Sequence, residues 1–155
     1  MVIQAVPIRL CEERDIEHFH ALGGPDHVRY CREQFARGPQ ACAILVAIDE
    51  HDAPVGKVHL DLETRATSGE AVLVAAAVCS DRQGNGIGTA LMAAAEEHAC
   101  ASGLDVIVLG VEDFNPGARR LYERLGYEEF ARDEFKYVGA PVPNPGSWLR
   151  KELAC

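Results

Sequence analysis

The sequence predicts a mixed α/β fold: a mixed β-sheet with helices on both faces. Three observations carry this. Apolar runs of strand character alternate with segments of helical spacing. A strand, helix, strand unit around residues 87–102 requires a parallel crossover. Two runs joined through "HDAP" read as an antiparallel hairpin. With 155 residues, 48% of them hydrophobic, residues 1–155 are expected to form one domain with a substantial core.

The elements follow in order. Residues 2–10, "VIQAVPIRL", read as a first strand, and residues 11–22 as a short helix with an acidic start and spaced Ile16, Phe19 and Leu22. "GGPD" breaks the chain before a second helical segment over residues 27–38, stopped by Gly38 and Pro39. Residues 41–50 and 53–63 form the hairpin. In its second strand Val58, Leu60 and Leu62 point one way, and Lys57, His59, Asp61 and Glu63 the other, as a polar face. Residues 70–80 are almost continuously apolar, as a strand buried on both faces should be. A helix follows from Ile87 to Ser102, closed by Gly103, and then a buried strand over residues 104–112. Asn115 is the expected N-cap of a short helix with Pro116 at its first position and Gly126 at its end. Residues 127–138 and 147–153 are the last two strands.

Charge narrows the function. The 15 basic and 24 acidic side chains leave a net charge of −9, which repels polyanions, and no Lys/Arg cluster offsets that repulsion. Nucleic acid is not expected as a partner. A cationic acceptor is favoured weakly, since screening sets in within roughly 8 Å. No run approaches membrane-spanning length, and the first residues lack the basic start and long apolar stretch of a secretion signal, so no membrane role and a cytoplasmic location are expected. Cys11, Cys31, Cys42, Cys79, Cys100 and Cys155 form no CxxC pair and have no histidine at metal-ligand spacing. All six are read as reduced structural thiols, with no metal site.

"SDRQGNGIGTAL", Ser80 to Leu91, is the most informative stretch. A glycine-rich loop that leaves a strand and opens a helix offers unpaired N–H groups and the positive end of a helix dipole to an anion. Glycine allows the close approach and positive φ this needs. No lysine follows Gly88, which rules out a Walker loop, and Thr89 or Leu91 stands where a dinucleotide fingerprint needs its last glycine. By itself, the loop is also compatible with a simple strand-to-helix turn.

Gln83-Gly84-Asn85-Gly86-Ile87-Gly88 resembles the (Gln/Arg)xxGx(Gly/Ala) signature of the GNAT superfamily of acyl-CoA N-acyltransferases. Downstream, "NPGARRLYERLGY" resembles the second signature, NxxAxxLYxxxGF/Y, through Asn115, Ala118, Leu121, Tyr122, Gly126 and Tyr127. The element order matches the family over nearly the whole chain. The resemblance implies a GNAT-like α/β (α+β mixed) fold, with a mostly antiparallel sheet of six to seven strands and a central parallel pair. It also implies acetyl-CoA, or another acyl-CoA, as cosubstrate. The amides of Gln83, Gly84, Asn85, Gly86, Ile87 and Gly88, with Thr89 opening the helix, would cradle the pyrophosphate. Val78 and Cys79 would end the strand that holds the pantetheine arm. Asn115 would contact that arm, and Tyr122 would be the general acid that protonates the departing thiolate.

The implied reaction is direct attack by the primary amine of an acceptor, expected to be a small cationic molecule, with no covalent acyl-enzyme. A homodimer is left open. Some family members carry a glutamate base where this chain has Val72. The acids offered instead are Glu70, Glu112 and the Asp61/Glu63 pair beside His59. A Cys79 nucleophile lacks a histidine within sequence reach. The acceptor is expected between the first two helices and the loop before the last strand, where Tyr137 or Trp148 would add an aromatic wall. Acetylation of a protein N-terminus or lysine is one alternative. Another is a non-catalytic acyl-CoA-binding or regulatory module, suggested by the missing glutamate.

Overall fold

A computed structural model describes residues 6–136 and 141–155. Its seven strands are β1 (Ile8–Leu10), β2 (Cys42–Ile48), β3 (Pro54–Asp61), β4 (Glu70–Val78), β5 (Val106–Glu112), β6 (Glu128–Phe135) and β7 (Asn144–Glu152). The helices are α1 (His20–Ala36), entered through a 3₁₀ helix at Glu13–Phe19, then α2 (Ile87–Ala101) and α3 (Pro116–Arg124). The strands form one sheet in the order β1-β2-β3-β4-β5-β7-β6. Among the described residues only β4 and β5 run parallel, paired from Glu70↔Val106 to Leu73↔Leu109. This is the predicted crossover through α2.

Two apolar layers sandwich the sheet. Leu91, Met92, Ala95 and Ala99 of α2 pack with Val58, Leu60 and Leu62 of the β3 region on one face, and Tyr122 of α3 joins them. On the other face Ile16, Phe19, Val28 and Cys31 cover Ile44 and Val46 of β2. Phe19 is fully buried, a contribution on the order of 2–3 kcal/mol from area alone.

One irregularity shapes everything downstream. On β3, His59 pairs with Val74 but Lys57 pairs with Ala77, so β4 carries a bulge. Within it Ala75 adopts φ 54°, a left-handed conformation unusual for a residue with a Cβ. Beyond Leu73 and Leu109 no further β4–β5 pair occurs among the described residues. The sheet therefore opens between β4 and β5.

Several expectations need correction. The "GGPD" break does not separate two helices cleanly. Gly23 is extended and Gly24 left-handed, so α1 contains a kink just before Pro25, and a Cβ at Gly23 would lie 2.5 Å from the His27 ring. The first helical segment is 3₁₀ up to Phe19. β7 begins earlier than predicted, at Asn144, because Pro145 and Gly146 pair with β6 and Gly146 also pairs with β5. Tertiary pairing overrides local propensity there. The expected strand ends at residues 2–5 and 137–138 lie outside the described residues, as does Tyr137.

The polar face of β3 is not a solvated one. Lys57 and His59 are both fully buried, because the 3₁₀ helix and α1 lie over them. Nor are all the cysteines free: Cys100 and Cys155 form a disulfide. The chain end is led back toward the start of β5, where Leu153 N–H bonds Asp105 O at 2.8 Å, and this brings Cys155 against the end of α2. The other four thiols are free.

Candidate active site

From Val78 the chain passes through a 3₁₀ turn at Ser80–Arg82 into the glycine loop. Gly84 and Gly86 take φ 81° and 80°, and Gly86 is the N-cap of α2. Their left-handed turns are what the glycines supply. The loop is braced from within, since Gln83 Nε2 donates to Val78 O at 3.2 Å and Asn85 Nδ2 to Arg82 O at 3.1 Å. The first N–H groups of a helix have no intrahelical acceptor, so the N-terminus of α2 is left as a donor surface.

That surface opens into a cleft of about 680 Å³. Ala76, Ala77 and Val78 of β4 form one wall, and Gln83, Gly84, Gly86, Ile87, Gly88 and Thr89 form the floor. Asn115 and Tyr122 close it from the α3 side. Most of the residues implied by the two signatures are thus brought together, though they lie up to 44 positions apart in sequence between Val78 and Tyr122. Two are not on the lining. Asn85 is exposed, and Cys79 packs against the core with its N–H held by Val55 O at 2.8 Å and its thiol pKa raised by burial.

Asn115 caps α3 as expected: its side-chain oxygen accepts from Ala118 N–H at 3.2 Å, leaving its amide nitrogen for the cleft. Tyr122 is buried, edge-on to Tyr127. Burial, and then the nearby Glu112 carboxylate, raise its pKa, so the phenol holds its proton at neutral pH. Two arginines of the cleft escaped sequence reasoning, Arg82 and Arg124. Arg124 Nη2 donates to Thr89 Oγ1 at 3.2 Å. A guanidinium directly before Gln83 and another in the last turn of α3 were the available signals, and both suit a pyrophosphate.

A second cleft, of about 330 Å³, begins where the first ends on β4. Val74 and Ala75 line it, whereas Ala76 lines the larger one. His27 and Tyr30 of α1 face Phe135 and Trp148 across it, and Glu112 stands at the end of β5. Trp148 packs edge-on to Phe135 with ring centroids 5.1 Å apart, and its Nε1 donates to Asp133 Oδ2 at 2.9 Å.

Of the acids offered as bases, only Glu112 borders either cleft. Glu70 begins β4, at the end of the strand away from the clefts, and pairs with Arg65 at 2.6 Å. Asp61 accepts from Glu63 N–H, Thr64 N–H and the Thr64 hydroxyl, and pairs with Arg37. Burial pushes its pKa up, but those donors outweigh it and hold it at about 2. Val72 is buried beside Val106 and Val108.

One residue lining the larger cleft is a buried lysine whose burial the sequence did not announce. Lys57 Nζ donates to Ala75 O at 2.8 Å and lies 3.1 Å from His59 Nε2. His59 also approaches Cys31 Sγ at 3.6 Å and stacks on Tyr30. Burial, and then the charge of Lys57, hold the His59 pKa well below its ordinary value, so this imidazole is neutral.

Residues 9–127 match the family model described as the acetyltransferase (GNAT) family. A mycothiol acetyltransferase of Saccharopolyspora erythraea is 39% identical over 92 residues, 57% of this chain and 27% of that protein. One from Kocuria rhizophila is 33% identical over 99 residues, 61% of this chain and 32% of that protein. The matches therefore span about a third or less of those relatives. Among solved structures, a phosphinothricin acetyltransferase from Sinorhizobium meliloti, crystallised with acetyl-CoA, superposes with a TM-score of 0.76 at 16% identity, covering 97% of this chain and 89% of that one. The ribosomal-protein-S18-alanine N-acetyltransferase of Escherichia coli gives 0.78 at 17% identity, covering 97% and 96%. At such identities the likeness is one of fold.

Proposed function

The chain belongs to the GNAT family of acetyltransferases, and from that premise we propose that it transfers an acetyl group from acetyl-CoA to the primary amine of a small cationic molecule, by direct attack in a ternary complex. The observation that carries this reading is the pair of clefts meeting on β4. One is lined by amide donors, two guanidinium groups and Lys57, the other by the Glu112 carboxylate, aromatic rings and Lys136, and their border falls between Ala75 and Ala76. Two ligands bound there would meet at the bulge.

In this reading the loop amides from Gln83 to Gly88, with Arg82 and Arg124, hold the pyrophosphate, and the pantetheine arm runs along Ala76–Val78 past Asn115. Cys79 would contribute only its place at the end of the strand. Glu112 attracts the ammonium group into the smaller cleft and takes its proton, directly or through one water. The aromatic walls of Tyr30, Phe135 and Trp148 favour a cation. The freed amine attacks the thioester carbon, the C–S bond breaks as Tyr122 gives its proton to the departing thiolate, and the second proton, shed by the nitrogen as the amide forms, returns to the tyrosinate. Glu70, tied to Arg65 away from both clefts, is the weaker choice of base.

The mycothiol acetyltransferase relatives favour a small-molecule acceptor over a protein. The test is thiol release from acetyl-CoA in the presence of polyamines, amino sugars, mycothiol-related amines and an alanine-terminated peptide, with products identified by mass. Release with a small cationic amine is the expected result. Binding of acetyl-CoA without release across the panel overturns the reading in favour of a non-catalytic module, and release with the peptide alone overturns the small-molecule assignment.

A further inference from the structure

We propose that the acceptor carries a carboxylate several bonds away from its reacting amine, and that Lys136 binds this second end while Glu112 receives the first. The inference deepens the reading above and rests on the amine lying against Glu112.

The smaller cleft holds two opposite charges that do not neutralise each other. Glu112 and Lys136 both line it, and among the described residues neither side chain joins an ion pair. The sheet register keeps them apart. Glu112 and Asp133 both pair with Gly146 of β7, so they stand level on β5 and β6, two strands from each other. Lys136 follows Asp133 by three residues in the same direction, which carries it about 10 Å further along, and the two interstrand spacings add about as much again sideways. The two charges thus enter the cleft from separate points.

The ground between them is apolar. Gly110 lines the cleft, and the Phe135 ring lies across it, where a Cβ at Gly110 would come within 2.4 Å of that ring and one at Gly146 within 2.8 Å. Trp148 stands edge-on to the same ring. A methylene chain suits such a surface, with the few polar groups at its ends fixing the orientation. The other titratable side chains of the lining add no charge. Burial, and then the charge of Lys57, bring the His27 pKa down to about 4, and burial raises that of Tyr30, so the imidazole is neutral and the phenol keeps its proton.

A plain diamine stretched from Glu112 would set its far ammonium group against Lys136, and like charges brought together select against a ligand. A carboxylate at that end turns repulsion into attraction. A diamino acid that reacts through its side-chain amine meets both requirements and is still cationic overall.

The experiment uses matched acceptors that differ only by a carboxylate: lysine with cadaverine, and 6-aminohexanoate with pentylamine. Thiol release from acetyl-CoA gives kcat/KM, and fragmentation of the product locates the acetyl group. With the wild type, the carboxylate member of each pair should be favoured about tenfold or more, lysine should be acetylated on its side-chain nitrogen, and the preference should narrow in high salt. Lys136→Gln should remove most of the preference and Lys136→Glu should reverse it; the side chain is exposed, so neither change threatens the fold. A preference missing from either pair, acetylation of lysine on its α nitrogen, or a preference that survives Lys136→Glu would overturn the proposal and leave the reading of the two clefts standing. If no amine of any kind releases thiol, that earlier reading fails first, and this inference falls with it.

Discussion

Arg9 grips Asp15 through two hydrogen bonds, Nη1 to Oδ2 at 2.7 Å and Nη2 to Oδ1 at 2.9 Å, with the carboxylate almost wholly shielded from solvent. The pair ties β1 to the 3₁₀ helix that precedes α1. Burial pushes the Asp15 carboxyl up, but the Arg9 hydrogen bonds and the Glu12 N–H outweigh it, and its pKa is lowered. Its contribution to stability is therefore present above the unfolded carboxylate value and is lost as pH falls through the lower folded value. Asp15→Ala should cost about 2–3 kcal/mol at pH 7, measured by urea unfolding, and the gap from wild type should narrow in acid.

Tyr122 and Glu112 divide the proposed proton traffic between the two clefts. Tyr122→Phe should lower kcat by about a hundredfold, while CoA binding measured by calorimetry stays near wild type. Glu112→Gln should raise KM for a cationic amine as well as lowering kcat, and lose less against a neutral amine. Equal effects on both amines would argue against an electrostatic role for the carboxylate.

Lys57 makes a separate statement about stability. Its folded pKa of about 8 lies below the ordinary 10.5, so between those values the unfolded chain binds more protons and stability rises with pH. This cost of burying the ammonium group amounts to about 3 kcal/mol. It is unfavourable at pH 7 and fully relieved only above the unfolded value. Tyrosines and thiols with raised pKa values act in the opposite direction, so the comparison with Lys57→Met isolates it. That variant should be at least as stable as wild type at pH 7 and lose the advantage near pH 10, read from denaturant midpoints.

The Cys100–Cys155 disulfide spans 55 positions. Closing so long a loop in the unfolded chain is worth about 2–4 kcal/mol. Cys155→Ser should lower the melting temperature under non-reducing conditions, and a reductant should do the same to wild type but not to the variant. Alkylation of the denatured, unreduced protein should label four thiols, the free ones being Cys11, Cys31, Cys42 and Cys79.

What could be read from the sequence was local. The glycine loop, the Asn115 cap and the α2 crossover rest on spacing within a few residues, and all three stand where that spacing puts them. The alternation on β3 was read correctly as two faces, yet alternation cannot say whether a helix distant in sequence covers the polar one. Lys57 and His59 are buried for that reason. Arg124 reaches Thr89 across 35 positions, and Cys100 meets Cys155 across 55. Neither contact leaves a trace in local pattern. Glu112 was one of several acids until the end of β5 was seen to border a cleft, while Glu70 lies at the opposite end of its strand.

The bulge at Ala75 gives β4 a second role beyond architecture. Because consecutive residues of one strand wall off both clefts, a ligand that stiffens this segment from one side changes what the other ligand must order. Donor and acceptor are then linked thermodynamically: whatever factor the first applies to the affinity of the second, the second returns to the first. The order in which they arrive is a matter of rates and cannot alter that factor.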